Sequence, residues 1–250
     1  MPKSSRRDFI MEMSALGGLY PLSNLNTSFK PIKVPDGKNI VCVGGHPDDP
    51  ESGCGGTLAL HAKAGSKVSI VYLTKGEAGI QGKSHDVSAG IRSKEARAAA
   101  SVIGADPYFA GQIDGDAIFN KGEIKKLQDL LTGLKPDILY THWPLDSHPD
   151  HQVASLLSVQ CWMRMNKKFD LYFFEVNSGS QSFQFLPTHY IDITPVVTIK
   201  EQALFKHRSQ YPEEIYREHH HIMQQFRGRE IGVKEAEAFI KVPKPKSMSY

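Results

Sequence analysis

Cysteine is scarce in this sequence, with only three among 250 residues. The number is odd, and no two cysteines stand in a Cys-x-x-Cys spacing. This argues against a disulfide framework and against a structural zinc site built from cysteines. We therefore expect Cys42, Cys54 and Cys161 to be buried free thiols, which is the common state of isolated cysteines.

Two further features are missing from the sequence. It has no run of about 20 apolar residues, so no membrane-spanning helix is predicted. It also has no excess of one charge, because 30 basic residues stand against 27 acidic ones, giving a formal net charge of +3. Such a balance argues against nucleic acid or an anionic membrane as the main partner.

The first 30 residues differ from the rest of the chain. Ser5-Arg6-Arg7-Asp8-Phe9-Ile10 resembles a twin-arginine export signal, and a moderately apolar stretch, 11–22, follows it. Glu12 interrupts this stretch and no clean Ala-x-Ala cleavage site follows, so a basic tail is the alternative. An export signal predicts a periplasmic protein, and a tail leaves it in the cytoplasm. We assign 1–30 to this segment and 31–250 to one folded domain.

From about Lys33 onward, strand-like and helix-like segments alternate. The predicted strands are 39–43, 67–73, 107–109, 137–141 and 171–175. The predicted helices are 57–64, 91–103, 123–134, 152–165, 198–207 and 213–225. Strands that alternate with crossover helices imply an α/β fold with a Rossmann-like, mostly parallel sheet and helices on both faces. The length suits a single domain.

The first candidate site, His46-Pro47-Asp48-Asp49, directly follows the first predicted strand. Ligands of open α/β sheets bind beyond the carboxyl ends of the strands, so the position itself favours a site. One imidazole and two carboxylates within four residues can supply two metal ligands. The remaining carboxylate is then free to act as a base.

The second candidate site, His148-Pro149-Asp150-His151, follows the predicted strand 137–141. One of its imidazoles can complete a His-Asp-His metal site, and the other can contact a reacting atom. Three protein ligands with one open position are typical of catalytic zinc. Either motif alone also suits a simple turn, because Pro and Asp favour turns. Two such motifs at the ends of parallel strands favour catalysis.

These segments resemble the signatures of the PIG-L/LmbE-type zinc deacetylases. That family removes acetyl from N-acetylglucosamine units of glycolipids, thiol-protecting pseudodisaccharides and antibiotics. The resemblance is carried most specifically by Gly45–Thr57 and His148–His151 and spans about 40–210. Further matching positions are Thr74–Gly79, Arg92, Glu95, Asp192–Thr194, Lys200, Ala203, Leu204 and His207–Gln210. The resemblance assigns 31–250 to a deacetylase domain acting on a small molecule or a glycan.

The resemblance also implies roles for individual residues. His46, Asp49 and His151 would hold one catalytic Zn²⁺, although a His-Asp-His set also accepts Fe²⁺, Co²⁺ or Mn²⁺. Asp48 would be the general base that takes a proton from a metal-bound water. The products would be acetate and a free amine on the sugar or glycoconjugate.

The resemblance assigns His148 to stabilise the oxyanion or protonate the leaving amine, with Asp150 orienting His148. It assigns Arg92 to substrate contact, although Arg92 also suits an ion pair with Glu95. Two other functions remain open: a zinc amidase acting on a larger amide, and a non-catalytic carbohydrate-binding relative. The sequence leaves the oligomeric state undecided, and a homo-oligomer is compatible with it.

Several residues depart from the family pattern or have no assigned role. Pro50 stands where many members have Glu, with Glu51 one place later, and Asp146 occupies a stretch where some members carry Tyr. Glu77 and His142 either border the site or serve only their own loop and strand. The run 219–221 is three consecutive histidines, which we expect to be a solvent-exposed surface because consecutive helical residues point in different directions.

Overall fold

The alternating strands and helices of the sequence form one mixed sheet with helices around it, in a computed structural model that describes residues 30–244. The strands are β1 (Asn39–Gly44), β2 (Lys67–Tyr72), β3 (Ala105–Phe109), β4 (Ile138–His142), β5 (Asp170–Phe174), β6 (His189–Asp192) and β7 (Ala236–Lys241). The α-helices are α1 (Asp49–Lys63), α2 (His85–Ile103), α3 (Lys121–Leu134), α4 (Pro149–Arg164), α5 (Val197–Leu204), α6 (Pro212–Ile215) and α7 (His221–Ile231). The twin-arginine-like segment lies outside the described residues.

The sheet has the strand order β3-β2-β1-β4-β5-β7-β6. Strands β1 to β5 are mutually parallel, and β7 runs antiparallel to both β5 and β6. This confirms the prediction of a mostly parallel sheet. The structure adds two strands, β6 and β7, that we did not predict.

Helices cover both faces of the sheet, as the alternation of side chains along β1 requires. Ile40 and Cys42 pack into one core together with residues of α1, α2 and α5. Val41 and Val43 point the other way, into a second core with residues of α3 and α4. Because side chains of a strand alternate between its faces, a continuous apolar run supplies both cores at once.

The predicted burial of the cysteines is confirmed: Cys42, Cys54 and Cys161 are free thiols in the interior. The prediction for membrane segments also agrees with the structure, since none of the helices within 30–244 is long and apolar enough to cross a bilayer. Helix α1 begins eight residues before the predicted start, inside the first histidine motif.

The buried His61 of α1 is expected to make stability depend on pH. Its Nε2 lies 3.0 Å from the hydroxyl of Tyr140, and burial lowers the pKa of His61 from 6.5 to about 4. The folded state therefore binds fewer protons than the unfolded state between these pKa values. The contribution of neutral His61 to the free energy of unfolding is fully present above pH 6.5 and is lost as the pH falls to 4.

The expected loss is about 3 kcal/mol for His61 alone. Urea unfolding of metal-free wild type and of the His61→Gln variant, between pH 4 and pH 8, measures it. Glutamine does not titrate, so the wild type should lose about 3 kcal/mol more than the variant over this range. Parallel curves for the two proteins would contradict the prediction.

Candidate metal centre and active site

The sheet brings the two histidine motifs together because they follow neighbouring parallel strands. Strands β1 and β4 pair directly, so the loops beyond their carboxyl ends are adjacent. The first loop leads into α1 and the second into α4. A hydrogen bond fixes their relation, since the Gly45 backbone N–H donates to His142 Nε2 at 2.9 Å.

The three predicted metal ligands present donor atoms to one another. His46 Nδ1 and His151 Nε2 each lie 3.1 Å from Asp49 Oδ2, and the two nitrogens are 3.2 Å apart. Tetrahedral zinc with bonds of about 2.0–2.1 Å places neighbouring ligand atoms roughly 3.3 Å apart. The donor triangle of His46, Asp49 and His151 therefore fits a zinc ion in both chemistry and spacing.

Gly45 makes this close approach sterically possible. A Cβ atom on Gly45 would lie 2.8 Å from His151 Cδ2 and 3.2 Å from Asp49 Oδ2. Any side chain there would push His151 away from the other two donors. The glycine that precedes the motif is thus required by the packing of the ligands.

Carboxylates surround the histidines and stabilise positive charge on them. His46 Nε2 lies 3.0 Å from both Asp114 Oδ1 and Asp150 Oδ2, and His151 Nδ1 lies 3.0 Å from Asp146 Oδ1. Burial alone lowers the pKa of His151, but Asp49 and Asp146 outweigh it and raise the pKa to about 9. Burial also opposes protonation of His46, yet its carboxylate neighbours raise its pKa well above the usual value.

The same field acts on Asp49. Burial raises the pKa of a carboxyl group, but the charge of His151 and hydrogen bonds from the histidines hold the pKa of Asp49 well below its usual value. A site that stabilises protonated histidines against a carboxylate also stabilises a cation in their place. The electrostatics therefore agree with the donor geometry in favouring a divalent metal.

Other donor sets overlap with the triangle. Within the described residues, three groups besides the donor triangle have donor atoms close enough to share one ion. They are His46 with His148 and His151, Asp49 with His142 and His151, and His46 with Asp114, His148 and Asp150. His151 and His46 recur in these groups, so the main alternative to Asp49 as the third ligand is His148.

Asp48 stands beside the donor triangle in an uncommon backbone conformation. Its φ is 111° and its ψ is −28°, a region that favours glycine. Arg92 Nη2 donates to the Pro47 carbonyl and lies 3.1 Å from Asp48 Oδ2, which holds the loop and the carboxylate in place. Burial raises the pKa of Asp48, with Arg92 opposing the shift.

Residues 41–162 match the family model described as PIG-L: GlcNAc-PI de-N-acetylase. Over these 122 residues the chain is similar to the PIG-L family. The diacetylchitobiose deacetylase of Thermococcus kodakarensis is 24% identical over 196 residues, covering 72% of this chain and 73% of that protein. The structure of N,N'-diacetylchitobiose deacetylase from Pyrococcus horikoshii has the same fold, with a TM-score of 0.73, 22% identity and coverage of 99% and 98% of the two chains.

The relatives of this chain are not all named for one reaction. The 4-oxalmesaconate hydratase of Pseudomonas putida is 27% identical to this chain over 186 residues, covering 67% of the chain and 72% of the hydratase. A hydratase adds water to its substrate, whereas a deacetylase uses water to break a C–N bond. The reaction of this chain therefore needs a direct assay.

Because the backbone of Asp48 is strained, we expect glycine at this position to be more stabilising than alanine, the reverse of the usual order. Glycine normally destabilises a folded position relative to alanine by about 0.5–1 kcal/mol. At φ 111° the alanine variant keeps the backbone strain, which costs about 1–3 kcal/mol, and glycine relieves it. Asp48→Gly should therefore unfold with a free energy about 1–2 kcal/mol higher than Asp48→Ala.

Both variants lose the same carboxylate and the same Arg92 contact, so the pair isolates the backbone effect. Denaturant unfolding of the two metal-free proteins measures the difference. An alanine variant as stable as the glycine variant would show that Asp48 is not strained.

Two contacts that we predicted, between Asp150 and His148 and between Arg92 and Glu95, are replaced in the structure by other contacts. The Asp150 carboxylate does not orient His148 as we expected, because its Oδ2 lies 3.0 Å from His46 Nε2 and accepts from the Gly115 backbone N–H at 2.7 Å. Instead, the Asp150 backbone N–H donates to His148 Nδ1 at 3.2 Å. Pro149, which lies between them, is the first residue of α4.

Arg92 is 3% exposed and pairs with Asp48 rather than with Glu95. Glu95 instead accepts from the Ser209 backbone and hydroxyl groups, at 2.9 and 2.6 Å. Arg92 also lines an open groove that contains the donor triangle. The predicted substrate contact of Arg92 thus remains a prediction, and its ion pair with Asp48 is an additional role.

Glu77 and His142 both have structural partners. Glu77 Oε2 accepts from the backbone N–H groups of Lys75 and Asp114, at 3.1 and 3.2 Å, and so holds the loop that carries Asp114. The His142 ring stacks on His151 with centroids 4.0 Å apart. Both residues therefore position neighbours of the donor triangle.

Sequence reasoning missed three residues of the site. Asp114 was not singled out, Asp146 was noted only as a departure from the family, and His220 was expected to be solvent-exposed. The last expectation is wrong: His220 is 7% exposed, and its Nε2 lies 3.1 Å from Ser52 Oγ. A π-helical turn, Tyr216–His220, inserts one extra residue between α6 and α7. Only its neighbour His219 is solvent-exposed, and His221 is partly buried.

Proposed function

We propose that this chain is a zinc-dependent hydrolase that removes acetyl from an N-acetylated sugar or glycoconjugate. The observation that carries the proposal is the donor triangle of His46, Asp49 and His151 with the Asp48 carboxylate beside it. The family description, a de-N-acetylase, gives the chain its enzyme class. The identity of the metal and the residue roles rest on the geometry and charges described above.

The proposed reaction requires that the attacking water lose a proton easily and that the carbonyl carbon of the amide become more electrophilic. Zinc held by His46, Asp49 and His151 would supply both, since zinc lowers the pKa of a bound water toward about 7 and polarises a carbonyl oxygen. Asp48 accepts the proton that the attacking water loses, and Arg92 keeps its carboxylate directed at the groove.

His148 is the group proposed to assist the departing amine. It is half-buried, and its ring lies 4.6 Å from the His46 ring and 4.8 Å from the His151 ring, between centroids. Burial, together with His46 and His151, lowers the pKa of His148. The water oxygen ends in acetate, and its protons end on the amine and in solvent.

The groove beside the donor triangle suits a sugar. Its wall carries polar groups of both signs, including Arg92, Asp114 and Gln210. Such groups hydrogen-bond hydroxyls, which a sugar presents on every side. Diacetylated chitobiose, named in the description of one relative, is therefore a reasonable first substrate to test on this chain.

Acetate release tests the proposal directly. Metal-stripped protein is assayed with N-acetylglucosamine and N,N'-diacetylchitobiose, with and without one equivalent of Zn²⁺. We expect acetate only when the metal is restored. Zinc-loaded protein that frees no acetate from these and related amides, but hydrates 4-oxalmesaconate, would replace deacetylation with the hydratase reaction.

Export to the periplasm also stays a prediction, which fractionation of cells expressing the full chain tests.

A further inference from the structure

A second cavity adjoins the metal centre on the side of helices α5 and α6. Its volume is about 320 Å³, and its apolar lining includes Val176, Leu204, Pro212 and Ile215. A water molecule occupies about 30 Å³ in the liquid, and a methyl group is of similar size. The methyl of an acetyl group would therefore fill only a small part of this cavity.

The cavity and the polar groove meet at the proposed catalytic residues. Asp48, Asp49, Gln181 and Gln210 line both spaces. A substrate whose amide lies at Asp48 and Asp49 can therefore extend into the groove on one side of the C–N bond and into the cavity on the other. The geometry divides the substrate into two parts of different chemistry.

The two spaces differ in polarity. The groove carries Arg92, Asp114 and His148, which suit a hydroxylated amine. Most of the cavity surface is apolar, although polar side chains also line it, namely Asp48, Asp49, Ser52, Ser178, Gln181, His207, Gln210, His219 and His220. Of these, Ser52 Oγ lies 3.1 Å from His220 Nε2. An apolar substituent in this cavity would replace water against the apolar part of the wall, which Val176, Leu204, Pro212 and Ile215 supply.

His220 reaches the cavity wall because of the π-helical turn between α6 and α7. One extra residue in a helical turn changes the direction of the following side chains, and such turns are frequent at functional sites. Burial lowers the pKa of His220 to about 3, so the imidazole stays neutral. A neutral ring contributes a flat, mostly apolar surface to the wall.

We propose that this cavity binds the acyl part of the substrate, and that the enzyme hydrolyses N-acyl amino sugars whose acyl chains are longer than acetyl. The inference rests on the proposed function. In the reaction the amide C–N bond breaks, the hydroxyl of water joins the acyl carbon, and a proton joins the nitrogen. The products are a short-chain fatty acid and the free amino sugar.

A series of substrates with increasing chain length tests the inference on the zinc-loaded wild type. N-acetyl-, N-butanoyl- and N-hexanoylglucosamine share the sugar and differ only in the acyl chain. Each methylene transferred from water to an apolar site favours binding about fourfold. We expect kcat/KM for the hexanoyl substrate to exceed that for the acetyl substrate at least tenfold, mainly through a lower KM.

Ile215→Trp fills the cavity from its rim. Ile215 is 37% exposed, so the larger ring can be accommodated without disturbing the core. We expect this variant to lose at least tenfold in kcat/KM on the hexanoyl substrate and less than threefold on the acetyl substrate. Ile222→Trp is the matched control, because Ile222 is 56% exposed and lies outside the cavity.

The possible results separate the inference from the proposed function. Release of acetate with no gain from longer chains would overturn the inference and leave the deacetylase standing. An equal loss on all substrates in Ile215→Trp would show that the cavity holds the sugar or its aglycone, which also overturns it. Absence of hydrolysis at every chain length would refute the proposed function and this inference with it.

Discussion

Replacing Asp48 by asparagine is expected to lower kcat for acetate release by about 10²–10⁴-fold, the usual contribution of a general base. Asparagine has nearly the same size as aspartate and keeps an oxygen that Arg92 Nη2 can reach, 3.1 Å away in the wild type. It cannot take up a proton at neutral pH. The loss should therefore fall on kcat, while KM and zinc content stay close to those of the wild type.

The kcat measurement on Asp48→Asn needs a control variant that loses a carboxylate away from the active site. Asp129→Asn removes one from the exposed pair with Lys125 on α3, and it should keep full activity. Zinc analysis of each preparation accompanies the assay, since Asp48 neighbours the proposed ligand Asp49. An Asp48→Asn enzyme with a full zinc complement and undiminished kcat would eliminate Asp48 as the base.

The arrangement of the metal centre could be predicted from the sequence because it depends on local rules. β1 and β4 are short apolar runs, and a histidine motif begins two residues after β1 and six residues after β4. Parallel strands point their carboxyl ends to the same edge of the sheet, so the two motifs had to approach each other. The resemblance to the family then named His46, Asp49 and His151, whose donor atoms the fold brings within 3.2 Å.

Features that depend on distant packing could not be predicted in this way. β6 has only four residues, His189–Asp192, and it exists because it pairs with β7, more than 40 residues later. Helix α1 starts eight residues earlier than predicted and so contains Gly53, Gly55 and Gly56. Gly56 is in fact needed inside the helix, where a Cβ would lie 2.7 Å from Ile193 Cγ2.

Asp114 and His220 were not predicted as site residues for the same reason, since their positions depend on packing between distant segments. Asp114 follows β3, which the sequence indicates only as a short strand, and its Asp-Gly pair is typical of an ordinary turn. Its contact with His46 crosses from the end of β3 to the end of β1. His220 turns inward only because of a π-helical insertion, for which no sequence pattern was available. Asp114 could have been found by asking which carboxylates follow each strand.

The ligand set of the metal centre can be decided by two variants that remove one donor each. Asp49→Asn is expected to weaken zinc binding by more than about 100-fold, since even residues that only orient metal ligands contribute 10–100-fold. His148→Gln should keep one zinc per chain, because His148 lies outside the donor triangle. Chelator competition followed by metal analysis measures both affinities.

The free energy of unfolding in the presence of zinc is a second, independent measure of zinc binding by the same variants. A ligand at 1,000 times its Kd adds about 4 kcal/mol to the free energy of unfolding. Wild type and His148→Gln should gain this stabilisation, and Asp49→Asn should gain little. The opposite result, with zinc lost from His148→Gln and kept by Asp49→Asn, would identify His46, His148 and His151 as the ligands. Asp49 would then be available as a second carboxylate beside Asp48, and the base would have to be assigned again between the two.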